Sequence, residues 1–132
     1  MALKHISYCI LAFIPFLAGC QESLEERASR EAHEYTEKHC PTPVGKDVVM
    51  DSMTFDKASH TISYCYTLSG IIDDTAYISR SEPYDNVLKE VRNSTNLKIY
   101  KEAAYNFRYV YYSQKNRGTK LFEATYHEKD YR

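Results

Sequence analysis

His60-Thr61-Ile62-Ser63-Tyr64-Cys65-Tyr66-Thr67-Leu68 is the stretch whose reading decides the fold. Successive side chains of an extended chain point to opposite faces. Ile62, Tyr64, Tyr66 and Leu68 therefore share one face, and Thr61, Ser63, Cys65 and Thr67 the other. β-Branched and aromatic residues suit a half-buried pleated surface, so this is a strand with an apolar and a mainly polar side. Upstream, Val44 to Met50 and then Met53 and Phe55 read as extended chain, with the last two alternating with polar residues. The polar cluster Asp56-Lys57-Ala58-Ser59 between the two runs is a turn, and together they make a β-hairpin.

Working outward, residues 23–39 place Leu24, Ala28, Ala32 and Tyr35 at spacings that fall on one face of a helix. Glu22, Glu25 and Glu26 lie near its start, with Lys38 and His39 near its end, as the helix dipole favours. Cys40-Pro41 stops it, because a residue before proline is driven out of helical geometry. A second helix opens at Ser81-Glu82-Pro83, with Ser81 as N-cap and Pro83 in the first turn. It carries Tyr84, Val87, Leu88 and Val91 on one stripe and ends in Asn93-Ser94-Thr95-Asn96. Tyr105, Phe107, Tyr109 and Tyr111 then alternate with Asn106, Arg108, Val110 and Tyr112. Gln114 to Thr119 turns, and Leu121 to Tyr126 returns as a strand. The expected class is α+β: an antiparallel sheet of two hairpins with two helices packed on it, in the order α-β-β(β)-α-β-β.

The amino terminus obeys different rules. Lys4 is followed by an apolar run from Ile6 to Ala18, broken only by Ser7 and Pro15. That is shorter than the roughly 20 residues a spanning helix needs and suits the h-region of a secretory signal. The run ends in Leu17-Ala18-Gly19-Cys20, which resembles the lipobox of bacterial lipoprotein precursors. The resemblance implies removal of residues 1–19 and lipidation of Cys20, whose thiol is the nucleophilic handle for diacylglycerol. It also implies stable anchoring, since more than one acyl chain is attached. An aspartate after that cysteine resembles an inner-membrane retention signal in Gram-negative sorting; Gln21 stands there instead, which favours the outer membrane if the host is Gram-negative. Residues 20–132 are then expected to form one lipid-anchored envelope domain. The helix starting near Ser23 leaves almost no tether, so this domain is expected to stay close to the headgroups.

Seventeen basic and eighteen acidic side chains are interspersed, giving a net charge of −1. With no basic stripe, nucleic acid is not an expected partner. Of four cysteines, the lipobox resemblance implies that Cys9 lies in the removed segment and that Cys20 carries the lipid. Cys40 and Cys65 remain as an even pair in an oxidising compartment and are expected to form a disulfide. The competing reading is a metal site from His39, Cys40 and Cys65 with His33 or His60, but zinc-ligand spacing is missing, so no metal is expected. Cys40-Pro41, Tyr64, Tyr66 and Tyr109 also sit in a layout similar to small uncharacterised exported bacterial proteins; that resemblance implies a fold and no activity.

Tyrosine is the compositional anomaly, with 13 in the chain and no tryptophan. Tyr109, Tyr111 and Tyr112 are the candidate interaction surface, as a stacking platform for glycan or a protein-binding patch. Against that stands the strand propensity of tyrosine, which makes plain sheet packing the simpler use. Asp73-Asp74 offers oxygen ligands without calcium-loop spacing and reads as a solvated loop. No Gly-x-Ser-x-Gly elbow and no phosphate loop is present. No catalytic residue and no cofactor is therefore assigned. The expected function is a membrane-anchored, non-catalytic binding module contacting another envelope protein or glycan. The alternatives are a small enzyme acting on glycan or peptidoglycan, and an inhibitor or immunity-type protein.

The cysteine expectations share one measurement, the intact mass of protein extracted from membranes. A triacylated Cys20 and two hydrogens fewer for a Cys40–Cys65 bridge are expected, and Cys20→Ala should leave the precursor uncut. Membrane-bound protein of normal mature size from that variant sinks the lipoprotein reading.

Overall fold

A computed structural model describes residues 21–132; the lipobox, Cys9 and Cys20 lie outside the described residues. The elements run α1 (Leu24–His39), β1 (Thr42–Gly45), β2 (Val48–Asp56), β3 (Thr61–Leu68), α2 (Thr75–Arg80), α3 (Pro83–Asn93), α4 (Lys98–Glu102), β4 (Asn106–Ser113), β5 (Lys120–Tyr126) and α5 (Glu128–Tyr131), with a 3-10 turn at Gly70–Ile72. The class is α+β: one five-stranded sheet in the order β1-β2-β3-β4-β5, with helices. None of these helices is long and apolar enough to cross a membrane.

The two expected hairpins, β2–β3 and β4–β5, are present and antiparallel. Their junction departs from an all-antiparallel sheet, because β3 and β4 run parallel. The connection allows it: α2, α3 and α4 carry the chain back along the sheet, which a parallel neighbour requires. The parallel register sets Ile62 beside Phe107, Tyr64 beside Tyr109 and Tyr66 beside Tyr111. All six belong to or pack against the core, which continues through Val87 and Val91 of α3, Tyr100 of α4 and Tyr131 of α5.

Helix α1 begins where the sequence placed it, with the Ser23 hydroxyl accepting from the Glu26 N–H at 3.1 Å. Its Ala28 and Ala32 are buried, and it lies along β2. Small side chains on that stripe allow helix and strand to approach closely. β1 pairs with β2 only over Val48–Met50, so Met53 has no strand neighbour on that side. Thr36 of α1 takes its place: its hydroxyl donates to the Met53 carbonyl at 2.8 Å and accepts from the Met53 N–H at 2.9 Å. At the other end of the helix Glu25 meets Nε2 of His60 at 2.7 Å, and the His60 ring stacks on Tyr105.

Several local expectations are corrected. Ser81 does not cap α3: its hydroxyl donates to the Ile78 carbonyl and closes α2. Glu82 holds the N-cap position instead, in left-handed backbone at φ 50°, while Pro83 sits in the first turn as expected. Asp73-Asp74 is no solvated loop. Asp74 caps α2, accepting from the Tyr77 N–H. Asp73 is buried and accepts from the Lys115 N–H at 3.0 Å. The charged carboxy-terminal segment forms α5, whose buried Tyr131 donates to the Tyr105 carbonyl.

Cys40 and Cys65 are each a half-buried free thiol in this structure. Cys65 pairs with Ser52 on the β3 side of β2, whereas Cys40 closes α1 just ahead of β1, on the other side of β2.

Thr36→Val keeps shape but leaves two half-buried backbone groups of Met53 without their partner. We expect a loss of about 1–3 kcal/mol of stability by denaturant unfolding, with Thr36→Ser close to wild type. Equal stability of all three would mean that solvent replaces the hydroxyl.

Candidate tyrosine-floored groove

Strands β3 and β4 repeat one pattern, apolar-x-Tyr-x-Tyr, as Ile62-Ser63-Tyr64-Cys65-Tyr66 and Phe107-Arg108-Tyr109-Val110-Tyr111. Parallel in-register pairing lays the repeats side by side, so four phenol rings form a block on the helix-bearing face. Tyr64 stacks on Tyr109 at 4.9 Å between ring centroids, Tyr66 on Tyr111 at 4.8 Å, and Tyr66 on Tyr109 at 6.4 Å. Offset stacking of this kind adds favourable quadrupole interaction to the burial of large apolar area.

The walls come from two helices. α1 lies along β2, and α3 lies beside β5 and α5, leaving β3 and β4 between them. On α1, Glu31, Tyr35 and Lys38 recur at helical spacing and line a recess with Met53. On α3, Pro83, Asn86 and Glu90 turn toward the sheet and line a second recess of about 230 Å³ with Leu68, Ile72, Ile78, Tyr111 and Phe122. The Ile62 and Phe107 end of the floor is closed by Leu97, Tyr100 and Tyr105. The Tyr66 and Tyr111 end opens toward α2, where Ile71 is 81% exposed and Tyr77 40%.

Polar partners separate these tyrosines from the others. Tyr100 donates to Glu31 at 2.8 Å, Tyr126 to the Tyr84 carbonyl at 2.8 Å, and Tyr131 to the Tyr105 carbonyl at 2.9 Å. The hydroxyls of Tyr64, Tyr66, Tyr109 and Tyr111 have no hydrogen-bond partner among the described residues, and burial alone leads the causes that push their pKa values up. The Glu90 carboxylate adds to the rise at Tyr66, Tyr109 and Tyr111. Burial and Glu90 push Tyr111 up to about 12. The four phenols are therefore neutral at physiological pH, each able to donate and accept a hydrogen bond.

The expected trio Tyr109, Tyr111 and Tyr112 is divided between faces. Tyr109 is buried and Tyr111 half-buried in the groove floor. Tyr112 points to the opposite face, where it borders a shallow depression with Asp51, Thr67 and Arg117. Asp51 there already accepts from the Thr67 hydroxyl at 2.6 Å. Tyr64, Tyr66 and Glu90 are groove residues that the sequence reading did not assign. Their signal was the repeated Tyr-x-Tyr, which becomes a shared surface once the two strands are known to be parallel neighbours.

Other candidates are scattered. His60 is engaged by Glu25, His33 lies 3.5 Å from Glu37, and His39 stacks against Tyr35. Among the described residues, no three His, Cys, Asp or Glu side chains come together as a metal site would require. Burial and the Asp51 charge push the Cys40 thiol up, which keeps it protonated and weakly nucleophilic.

Sheet, flanking helices and open groove define a small α+β protein with one aromatic-floored face. The chain belongs to the family described as a domain of unknown function, DUF8479, which matches residues 23–122. No curated protein sequence matches it. Among solved structures it is similar to a Pseudomonas aeruginosa protein described as secreted, with TM-score 0.64 and 9% identity over 85% of this chain and 100% of that one. It is also similar to a pilotin of the Vibrio vulnificus type 2 secretion system, with TM-score 0.65 and 12% identity over 83% of this chain and 92% of that one. At such identities the likeness establishes the fold, and it agrees with the expected layout of small exported bacterial proteins.

A raised phenol pKa means that the folded state favours the neutral form. The stabilisation is complete below about pH 10, the unfolded phenol value, and is lost as pH rises through about 12 at Tyr111 and higher at its neighbours. Near-ultraviolet absorbance should show these four tyrosines ionising together with the loss of circular dichroism. Full ionisation in a still-folded protein would mean that the groove floor is solvated.

Proposed function

We propose that this protein is an envelope lipoprotein. One domain, residues 20–132, is held to the membrane by lipid on Cys20 after removal of residues 1–19. It works by binding another envelope protein in the tyrosine-floored groove. The observation that carries the binding role is the set of four phenol hydroxyls without a protein partner, gathered between two helices. Preformed concave sites that join apolar surface to a few convergent polar groups are where ligands dock. The arrangement favours binding over catalysis, because its phenols are held neutral and Glu31 is already engaged by Arg27 and Tyr100. Likeness to a secretion-system pilotin gives weak further support to an envelope protein as partner.

The anchor orients the groove. Helix α1 starts at Leu24, so only Gln21, Glu22 and Ser23 separate it from the proposed lipid site, a link of roughly 10 Å at full extension. The start of α1 and the β2–β3 turn, joined through Glu25 and His60, then face the membrane. The groove mouth near Ile72 and Ile78 lies at the opposite end of β3 and opens away from the bilayer. In the oxidised envelope we also propose a Cys40–Cys65 bridge. Its support is the pairing of the two thiols by elimination, and the intact mass decides it.

A photo-crosslinking amino acid replacing Tyr77 at the groove mouth should, in intact cells, give a covalent adduct with a second envelope protein. The same group replacing exposed Thr54 on the opposite sheet face should not. Equal adducts from both positions, no adduct from Tyr77, or an adduct only with another copy of this chain would reject the proposed partner site.

A further inference from the structure

Glu90 is set apart from the other carboxylates of the groove. Glu31 is paired with Arg27 at 2.7 Å and accepts from Tyr100, and Glu34 is paired with Arg30 at 3.5 Å. Glu90 is exposed on the groove side of α3, with no ion pair or hydrogen bond among the described residues, and borders the same recess as Tyr111. Its charge reaches the phenols of Tyr66, Tyr109 and Tyr111, and no cation acts on any of the three. The groove's own base, Lys38, stands on the α1 wall beside Glu34, Tyr35 and Met53, in the other recess. Glu90 and the neutral Tyr111 hydroxyl thus border one recess as acceptors, and Glu90 has no ion pair among the described residues.

Beside this cluster lies the apolar part of the recess, formed by Leu68, Ile72, Ile78, Val87 and Phe122. Its volume of about 230 Å³ suits one large aliphatic or aromatic side chain. Burial of such an anchor and a charge-assisted hydrogen bond at its edge are the two terms that fix a peptide segment in a groove.

We infer that the groove takes a polypeptide segment that presents a lysine or arginine to Glu90 and the phenol of Tyr111, with an apolar side chain seated next to it between α2, α3 and the sheet. This rests on the binding role proposed above and adds the chemistry of the partner. The cationic head donates to the carboxylate and to the phenol oxygen, which stays neutral. An acidic segment at the same place would meet the unpaired charge of Glu90. A glycan could donate to the carboxylate and the hydroxyls but would leave the apolar recess unfilled.

The test uses small probes, so it needs no knowledge of the natural partner. Full-length lipidated protein in detergent micelles, labelled on its tyrosine rings, is titrated with Nα-acetyl-lysine methylamide and with the norleucine analogue, which keeps the aliphatic stem and lacks the charge. A saturable shift at Tyr111 is expected for the lysine probe, binding about fivefold more tightly than norleucine, as one charge-assisted contact implies. Glu90→Gln should bring the two probes to near equality, while Lys38→Gln should keep the preference. Equal binding of both probes to wild type, a preference retained by Glu90→Gln, or no saturable shift overturns the inference. Failure of the Tyr77 crosslink with a retained lysine preference would instead reject the proposed envelope partner and leave the cation site standing.

Discussion

The in-register parallel pairing of β3 with β4 is the constraint on which the rest depends. It joins the amino-terminal strands to the carboxy-terminal hairpin and places Ile62, Tyr64 and Tyr66 against Phe107, Tyr109 and Tyr111. Parallel neighbours cannot be linked by a tight turn, so the intervening chain has to cross the sheet. It does so as α2, α3 and α4, and those helices supply both a wall of the groove and the residues that close its far end. A shift of one residue in this register would turn every tyrosine of one strand to the other face, dissolving the core and the groove together.

Helix α1 is held by a different logic. Its stripe of alanines contributes little burial by itself, and its position is fixed by specific polar contacts at both ends. Thr36 serves Met53 as a missing strand would, and Glu25 ties the helix start to His60 in the β2–β3 turn. Because the helix follows the proposed lipid site after three residues, these contacts also transmit the anchor to the sheet.

The alternating stretch from Thr61 to Leu68, the helix from Leu24 to His39 and the carboxy-terminal hairpin were legible because each has a strong single period and local stop signals. Short elements were not. α2 and α4 span six and five residues, too few for a periodic signature, and helices of that length exist only where tertiary contacts hold them. Ser81 was misassigned because it precedes a proline as a good N-cap would, whereas the left-handed backbone at Glu82 sets α3 at an angle to α2 and hands Ser81 to the earlier helix. Asp73 looked solvated because its partners, Ser113 and Lys115, lie some forty residues away.

The sequence by itself determined the α+β class, the two hairpins, which residues share each strand face, and the lipobox resemblance that suggests an envelope address. All of these are written in neighbours a few residues apart. Only the tertiary structure decided which tyrosines share a surface. Tyr111 and Tyr112 are adjacent in the chain yet belong to opposite faces, while Tyr66 and Tyr111 are far apart in the chain yet stack at 4.8 Å. The physical reason is that a strand's pleat is local, whereas the choice of neighbouring strand, its direction and its register follow from how the crossover helices bury their own apolar stripes. The same folding step sets Glu90 on α3 beside Tyr111 of the sheet, and so places an exposed carboxylate at the rim of the recess where the sequence showed one more charge on a helix.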